Sequence, residues 1–326
     1  MLSLTKPRNS ALQPNNLDEE ACWNAVCRRD RSADGAFFYS VRTTGVYCRP
    51  SCGARPHREN VAFHATAADA ERAGFRPCKR CRPGGTAKAE SPNLTRRVAA
   101  LDWPEVSAQL DTSGCATIGP LLTADECAAL VATYESDALF RSHIVMARHG
   151  FGRGEYKYFA YPLPDLVATL RAALYPPLAD VANRWNAAMG VAVRYPDEHA
   201  TFLERCHDAG QAKPTPLLLR YGAGDYNCLH QDIYGEHVFP LQVAFLLSRP
   251  GADFEGGEFV LTEQRPRMQS RAEVVPLAQG QGVVFPVHHR PVQGTRGTYR
   301  VNMRHGVSRL RSGHRHTLGV IFHDGK

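Results

Sequence analysis

Four cysteines, spaced Cys48-x3-Cys52-x25-Cys78-x2-Cys81, constrain the N-terminal part of this chain more than any other feature. Four thiols at these intervals can close one tetrahedral zinc site, which ties two loops together. Such a staple supplies folding energy that a unit of about 70 residues cannot draw from a small core. The chain holds ten cysteines. The other six, Cys22, Cys27, Cys115, Cys127, Cys206 and Cys228, lack ligand-like spacing and read as small core residues. No apolar run reaches the roughly 18 residues needed to span a membrane, and MLSLTKPRNSALQPNNLDEE lacks the apolar core of a signal peptide. A reducing, cytoplasmic setting is therefore expected, with thiols serving as metal ligands rather than disulfides.

At 326 residues the chain is long enough for two units. Residues 1–83 carry 14 Lys and Arg against 8 Asp and Glu, whereas residues 84–326 carry 25 against 24. The polyanion-binding surface is therefore expected near the cysteines. Residues 1–16 read as a disordered tail. Residues 17–83 form the zinc unit, with a helix over DEEACWNAVCRRD, a strand over AFFYSVRTT and a second helix over ATAADAERAG. RPGGTAKAESPNL lacks apolar periodicity and places a linker over residues 84–97.

Residues 98–326 form the second unit. It opens with a helix over LTADECAALVATYE, where Thr123 and Glu126 have capping-box spacing, and PDLVATLRAALYPPLADVANRWNAAMG gives one or two more helices around Pro176-Pro177. From Leu217 onward, short apolar and alternating runs between Gly, Pro and Asp turns predict an antiparallel sandwich or barrel. The fold class is α+β: a small four-cysteine zinc domain, then a double-stranded β-helix (jelly-roll) domain with N-terminal helices.

A second constellation lies in this unit. His230 and Asp232 in CLHQDIYG are two residues apart, hence on one side of a strand, and can share a metal. The third ligand has to come from a distant strand, and His288, His289, His305, His314 and His316 compete for it. Arg315 lies ten residues after His305, with strand-like sequence between them. A planar guanidinium suits bidentate pairing with a carboxylate.

The segments FYSVRTTGVYCRPSC, ARPHRENVAFHA and GFRPCKRC resemble the N-terminal domain of the Ada methyl phosphotriester repair family over roughly residues 18–83. That resemblance implies that Cys48, while bound to zinc with Cys52, Cys78 and Cys81, accepts a methyl group from an alkylated DNA phosphate. A thiolate kept deprotonated by zinc is the attacking form. The same resemblance assigns Arg55 and Arg76 to the DNA backbone, with Arg49, Lys79, Arg80 and Arg82 adding charge. Gly53 departs from the family, which often has another basic side chain there.

His230, Asp232, His305 and Arg315 together resemble the Fe(II)/2-oxoglutarate-dependent dioxygenases, of a kind proposed to act on damaged DNA. This resemblance selects His305 as third iron ligand. It also implies Fe2+, 2-oxoglutarate and O2 as the reacting set, with Arg315 and Tyr221 binding the cosubstrate. Fusion to a damage reader makes alkylated DNA the expected partner and oxidative dealkylation the expected reaction, on a base that is extruded or single-stranded. Tyr156, Tyr158, Phe159 and Tyr226 are candidates for stacking on it. Neither an obligatory protein partner nor a membrane is expected. Two other readings remain open: a prolyl-type protein hydroxylase tethered to DNA by the zinc domain, and a non-enzymatic damage sensor.

Overall fold

The computed structural model describes residues 18–326 except 31, 32, 82, 84–90, 234 and 296. The tail expected over residues 1–16, the first half of the expected linker and Arg82 thus lie outside the described residues. The chain divides after residue 90 into two compact units.

In the first unit, helix α1 (Glu19–Arg28) starts at Asp18, whose carboxylate accepts from the backbone N–H of Glu20 and Ala21. It stops where Arg29 turns left-handed. Strands β1 (Phe38–Val41), β2 (Val46–Cys48) and β3 (Val61–His64), helix α2 (Ala67–Arg72) and strand β4 (Arg76–Pro77) follow. The sheet order is β3-β1-β2-β4, antiparallel except for the β2–β4 pair. The core is thin: Val26, Phe37, Tyr39 and Val41 pack against Cys48 and Cys52.

The second unit begins with α3 (Ser91–Ala99), so residues 91–97, expected as linker, are helical. The reason is tertiary: Leu94 and Val98, one helical turn apart, are buried in the main core. Next come α4 (Trp103–Ser113), β5 (Ala116–Ile118), α5 (Ala124–Thr133), β6 (Phe140–Val145), β7 (Gly152–Arg153) and β8 (Glu155–Phe159). Helix α5 carries the expected capping box between Thr123 and Glu126. Helix α6 (Asp165–Ala188) runs through Pro176 and Pro177 without a break. Its buried row, Leu174, Tyr175, Leu178, Ala182 and Trp185, continues across the prolines, and that burial outweighs the lost hydrogen bonds.

After α7 (His199–Asp208), the strands are β9 (Leu217–Tyr221), β10 (Tyr226–His230), β11 (Leu241–Leu246), β12 (Phe254–Gly256), β13 (Phe259–Gln264), β14 (Arg271–Val275), β15 (Gly282–Pro286), β16 (His289–Gly294), β17 (Gly297–Val307), β18 (Leu310–Gly313) and β19 (Arg315–Val320). Strands β12 and β18 pair with each other, and the remaining strands form two larger antiparallel sheets. The larger has order β5-β15-β11-β19-β9-β8-β6; the smaller has order β14-β13-β17-β10-β7, with β16 also on β17. This is a double-stranded β-helix backed by helices.

The layering explains why β11 reads LQVAFL without polar alternation. Leu241, Val243 and Phe245 join the core that also holds the helices, while Gln242, Ala244 and Leu246 point between the sheets. Strand β19 repeats the pattern, with Leu318 and Val320 in the helix-side core and Arg315 and Thr317 on the inner face.

Arg171 of α6 holds the end of the chain after β19. Its guanidinium donates to the carbonyls of Ile321 (2.8 Å) and Phe322 (3.0 Å) and to Asp324 Oδ1 (2.6 Å). Both charged partners are buried. Arg171→Ala would leave the buried Asp324 carboxylate with only the His207 ring (2.8 Å) and the Tyr161 hydroxyl (2.9 Å) and is expected to cost about 3 kcal/mol, read as a lower urea midpoint of the full chain. A loss below about 1 kcal/mol would show that the pair is not what fastens β19 to α6.

Candidate metal centres and active-site cavity

In the first unit, β2 ends on Cys48, and a turn in which Cys52 N–H donates to the Arg49 carbonyl (3.0 Å) brings the second thiol back. Strand β4 delivers the other pair: Cys78 N–H donates to the Tyr47 carbonyl (3.0 Å). The four Sγ atoms lie within 4.8 Å of one another. Four thiols this close cannot all ionise unaided. The hydrogen bond to Cys81, then burial, pushes the Cys48 thiol up, while the same bond lowers Cys81 to about 5. A divalent cation resolves that conflict, so the donor set fits zinc. Arg55, Arg76, Lys79 and Arg80 are exposed.

In the second unit, His230 ends β10, Asp232 lies two residues beyond it, and His305 faces them from β17 through the His230↔His305 register. His230 Nε2 lies 3.4 Å from Asp232 Oδ1, and His305 Nε2 lies 3.3 Å from Asp232 Oδ2. The two imidazole centroids are 4.1 Å apart. Of the histidines that competed for the third position, His305 is therefore the one that meets His230 and Asp232. The Nδ1 of His230 faces the Cys228 carbonyl at 2.8 Å, which leaves Nε2 for the cavity.

Burial disfavours charge on Asp232, but hydrogen bonding to His230 and the proximity of His305 hold its carboxyl well below the usual range. Burial likewise opposes charge on His230, and the Asp232 bond outweighs it. Burial, then His230, lowers His305. A carboxylate with two imidazoles is the donor set of a non-haem iron site.

The trio lines a cavity of about 400 Å³ between the sheets. On its wall, Arg315 is 2% exposed; its Nη1 donates to Thr317 Oγ1 (2.6 Å), its Nε has no partner, and no carboxylate pairs with it among the described residues. Burial brings its guanidinium down to about 10, so it stays charged at neutral pH. Tyr221, also buried, has its ring 5.7 Å from the Arg315 guanidinium carbon, and its hydroxyl makes no hydrogen bond of ordinary geometry among the described residues. A buried cation with no carboxylate beside it and a free Nε–H, next to a buried hydroxyl, fits a ligand carboxylate.

Tyr156 and Tyr158 line the cavity; Phe159 belongs to the core, and Tyr226 is exposed outside the cavity wall. Two of the cysteines expected as core residues, Cys27 and Cys228, are exposed, and Cys228 lines the cavity. Strand β10 is covered only in part at that point, so its side chains face the opening.

Three contributors have no spacing signature. Gln242 donates from Nε2 to Asp232 Oδ2 at 2.9 Å; a single amide in the apolar run LQVAFL was its signal. Gly306 lets β17 approach β10, since a Cβ there would lie 2.6 Å from the Asn227 carbonyl oxygen. Phe151, 48% exposed and stacked on His149 with centroids 5.3 Å apart, stands with Leu229 on the cavity wall.

Facing antiparallel sheets around a His-Asp-His cluster, preceded by a four-thiol unit, define a jelly-roll oxygenase joined to an Ada-like metal-binding domain. The chain belongs to the family described as "Oxygenase, catalysing oxidative methylation of damaged DNA", whose model matches residues 154–325, and residues 21–84 match the metal-binding domain of Ada. An uncharacterised protein of Mycobacterium tuberculosis is 49% identical over 166 residues, covering 51% of this chain and 71% of its own length. The bifunctional transcriptional activator and DNA repair enzyme Ada of Escherichia coli is 57% identical over 68 residues, 21% of this chain and 19% of that protein. A Pseudomonas putida prolyl-4-hydroxylase structure aligns over 67% of this chain and 96% of its own at 16% identity, with a TM-score of 0.41.

Gln242→Leu keeps the strand apolar but removes the amide that orients Asp232. Divalent-metal affinity of the His-Asp-His site, followed by Co2+ titration, is expected to fall about 10–100-fold with the melting temperature little changed. Unchanged affinity would show that the amide does not orient the carboxylate.

Proposed function

We propose that this protein repairs alkylated DNA. The second unit acts as an Fe(II)/2-oxoglutarate-dependent dioxygenase that removes alkyl groups from damaged bases. The first binds DNA around a zinc-held thiolate cluster and takes methyl from methyl phosphotriesters onto Cys48. The observation that carries the reading is one cavity holding both the His230-Asp232-His305 cluster and the unpaired, buried guanidinium of Arg315. Membership of a family described as acting on damaged DNA supports the substrate class.

In this reading His230, Asp232 and His305 hold the iron, and Arg315 with Tyr221 holds the distal carboxylate of 2-oxoglutarate. Bound there, metal and cosubstrate supply oxygen-dependent hydroxylation of a C–H bond, with loss of carbon dioxide to give succinate. Gln242 keeps the Asp232 carboxylate turned toward the two imidazoles, and the Cys228 carbonyl keeps His230 Nε2 directed inward. Tyr156, Tyr158, Phe259 and Phe285 give the cavity an apolar wall that excludes water and accepts a flat ring. Hydroxylation of an N-methyl carbon yields a hemiaminal that releases formaldehyde, so the methyl group is removed from the base.

On Cys48 the new bond joins sulfur to the methyl carbon, the phosphate O–CH3 bond breaks, and an ordinary phosphodiester leaves. The thioether is stable, so the transfer occurs once per molecule. A methylated, uncharged phosphate approaches the anionic cluster more readily than an intact one.

Protein loaded with Fe2+ should release succinate and formaldehyde from methylated single-stranded DNA with 2-oxoglutarate and oxygen, and Asp232→Ala should lower both at least about 100-fold. Succinate retained in that variant would remove the ligand assignment, and succinate without formaldehyde would remove the substrate. Separately, intact mass after incubation with methyl phosphotriester DNA should rise by one methyl, mapped to Cys48; a methyl on another cysteine would reassign the acceptor.

A further inference from the structure

A second cleft lies beside the cavity. Its floor is apolar, formed by Val191, Tyr195, Phe202, Val238 and Pro240. Arg194 from the segment after α6, Arg205 from α7 and Arg300 from β17 line it, with His237, His288 and His289; among the described residues Glu236 is the one acid on its lining. All three arginines are exposed. Each is held by backbone carbonyls: Arg194 Nη1 donates to Val193 (2.9 Å), Arg205 Nη1 to Arg194 (2.9 Å) and Arg300 Nη2 to Met189 (2.9 Å). None forms an ion pair among the described residues. Their charges are therefore fixed in place and not neutralised.

The cleft adjoins the metal cluster through the backbone. Gln231, between His230 and Asp232, donates from Nε2 to the carbonyls of His288 (3.2 Å) and Met303 (2.9 Å), so His288 of the cleft abuts the segment carrying two of the cluster residues. Only three residues separate Asp232 on the cavity from Glu236 on the cleft, a reach of at most about 14 Å. Exposed Ile233, at 52%, stands on the segment between them.

We propose that this cleft is the track of the substrate strand: Arg194, Arg205 and Arg300 grip successive phosphates of single-stranded DNA while a neighbouring base enters the cavity. Fixed guanidiniums at the rim of an apolar floor match a polyanion whose backbone phosphates alternate with apolar ring faces. An acidic peptide would meet the same charges, so a poly-glutamate chain of equal length held more tightly than the DNA overturns the assignment. The assignment rests on the proposed action on DNA, yet it can be read without turnover.

The test is binding of an unmodified single-stranded DNA of about 15 nucleotides to the full chain, followed by anisotropy across a salt series. The Arg194→Gln, Arg205→Gln, Arg300→Gln triple variant is compared with the matching Arg→Lys triple and with wild type. The zinc unit is common to all three, so a difference reports the cleft. In the Gln triple the slope of log affinity against log salt is expected to shrink by about 2, near 0.7 per lost phosphate contact, with affinity at about 0.1 M salt down tenfold or more. The Lys triple should recover most of the slope, because a phosphate contact needs the charge more than the fork. Should the Gln triple melt early, the single variants read the same quantity at about 0.7 each.

Unchanged slope and affinity in a folded Gln triple overturn the track, even if the wild type demethylates DNA. A matched RNA strand held more tightly than the DNA also overturns it. Conversely, a wild type inactive on methylated DNA whose Gln triple still loses slope overturns the proposed reaction and leaves the track standing.

Discussion

The negative charge of Asp232 organises the second unit. A carboxylate buried between two sheets costs several kcal/mol unless cations or donors surround it. Here each answering group comes from a different strand: the Gln242 amide from β11, His305 from β17 and His230 from the end of β10. No stretch of local sequence can satisfy Asp232 alone. The sheets have to close correctly first, and the close passage of β17 past β10 at Gly306 belongs to that closure. The charge thereby becomes a condition on the whole jelly roll, and the same enclosure that makes it expensive makes it an effective metal ligand.

Arg315 carries the complementary constraint. A guanidinium this deep normally has a carboxylate beside it, as Arg171 has Asp324 and Arg290 has Glu263. Those two pairs show how the fold treats buried arginines that serve the scaffold. Each is bound at several points, Arg171 by two carbonyls and Tyr161 as well as its acid. Arg315 donates to the hydroxyl of Thr317 alone among the described residues, and it lines the cavity. Within one domain, the difference between satisfied and unsatisfied arginines separates scaffold from site.

Legibility in the sequence followed the distance over which each signal acts. The four cysteines were readable because each pair closes a short turn and the flanking residues belong to the same unit. His230 and Asp232 were readable from the period of a strand, but His305 was one of five candidates until the resemblance singled it out through Arg315. The chain's continuation through Pro176-Pro177 was open because proline penalties are local, whereas the buried row of α6 that offsets them is tertiary. The helix over residues 91–99 hid behind a polar composition from which Leu94 and Val98 are buried in the core. The basic cleft was invisible for a different reason: the second unit sums to nearly neutral, and Arg194, Arg205 and Arg300 come from three elements up to 106 residues apart. Net charge averages away what folding concentrates.

Cavity and cleft together bear on how a base could reach the cluster. A space of about 400 Å³ between two sheets cannot admit a duplex, so any reacting base has to leave its stack, at a cost of a few kcal/mol that is least for a strand already single. Apolar walls such as Tyr156, Tyr158 and Phe285 return part of that cost by burying the ring, but only after it has entered. What holds the strand beforehand has to act on the backbone, outside the cavity and within a few residues of it. Fixed cations next to the His230–Asp232 segment meet that requirement, and their attraction does not depend on which base is damaged. Selectivity for the lesion would then belong to the cavity and residence on the strand to the cleft, so that two separate surfaces of one domain divide recognition between them.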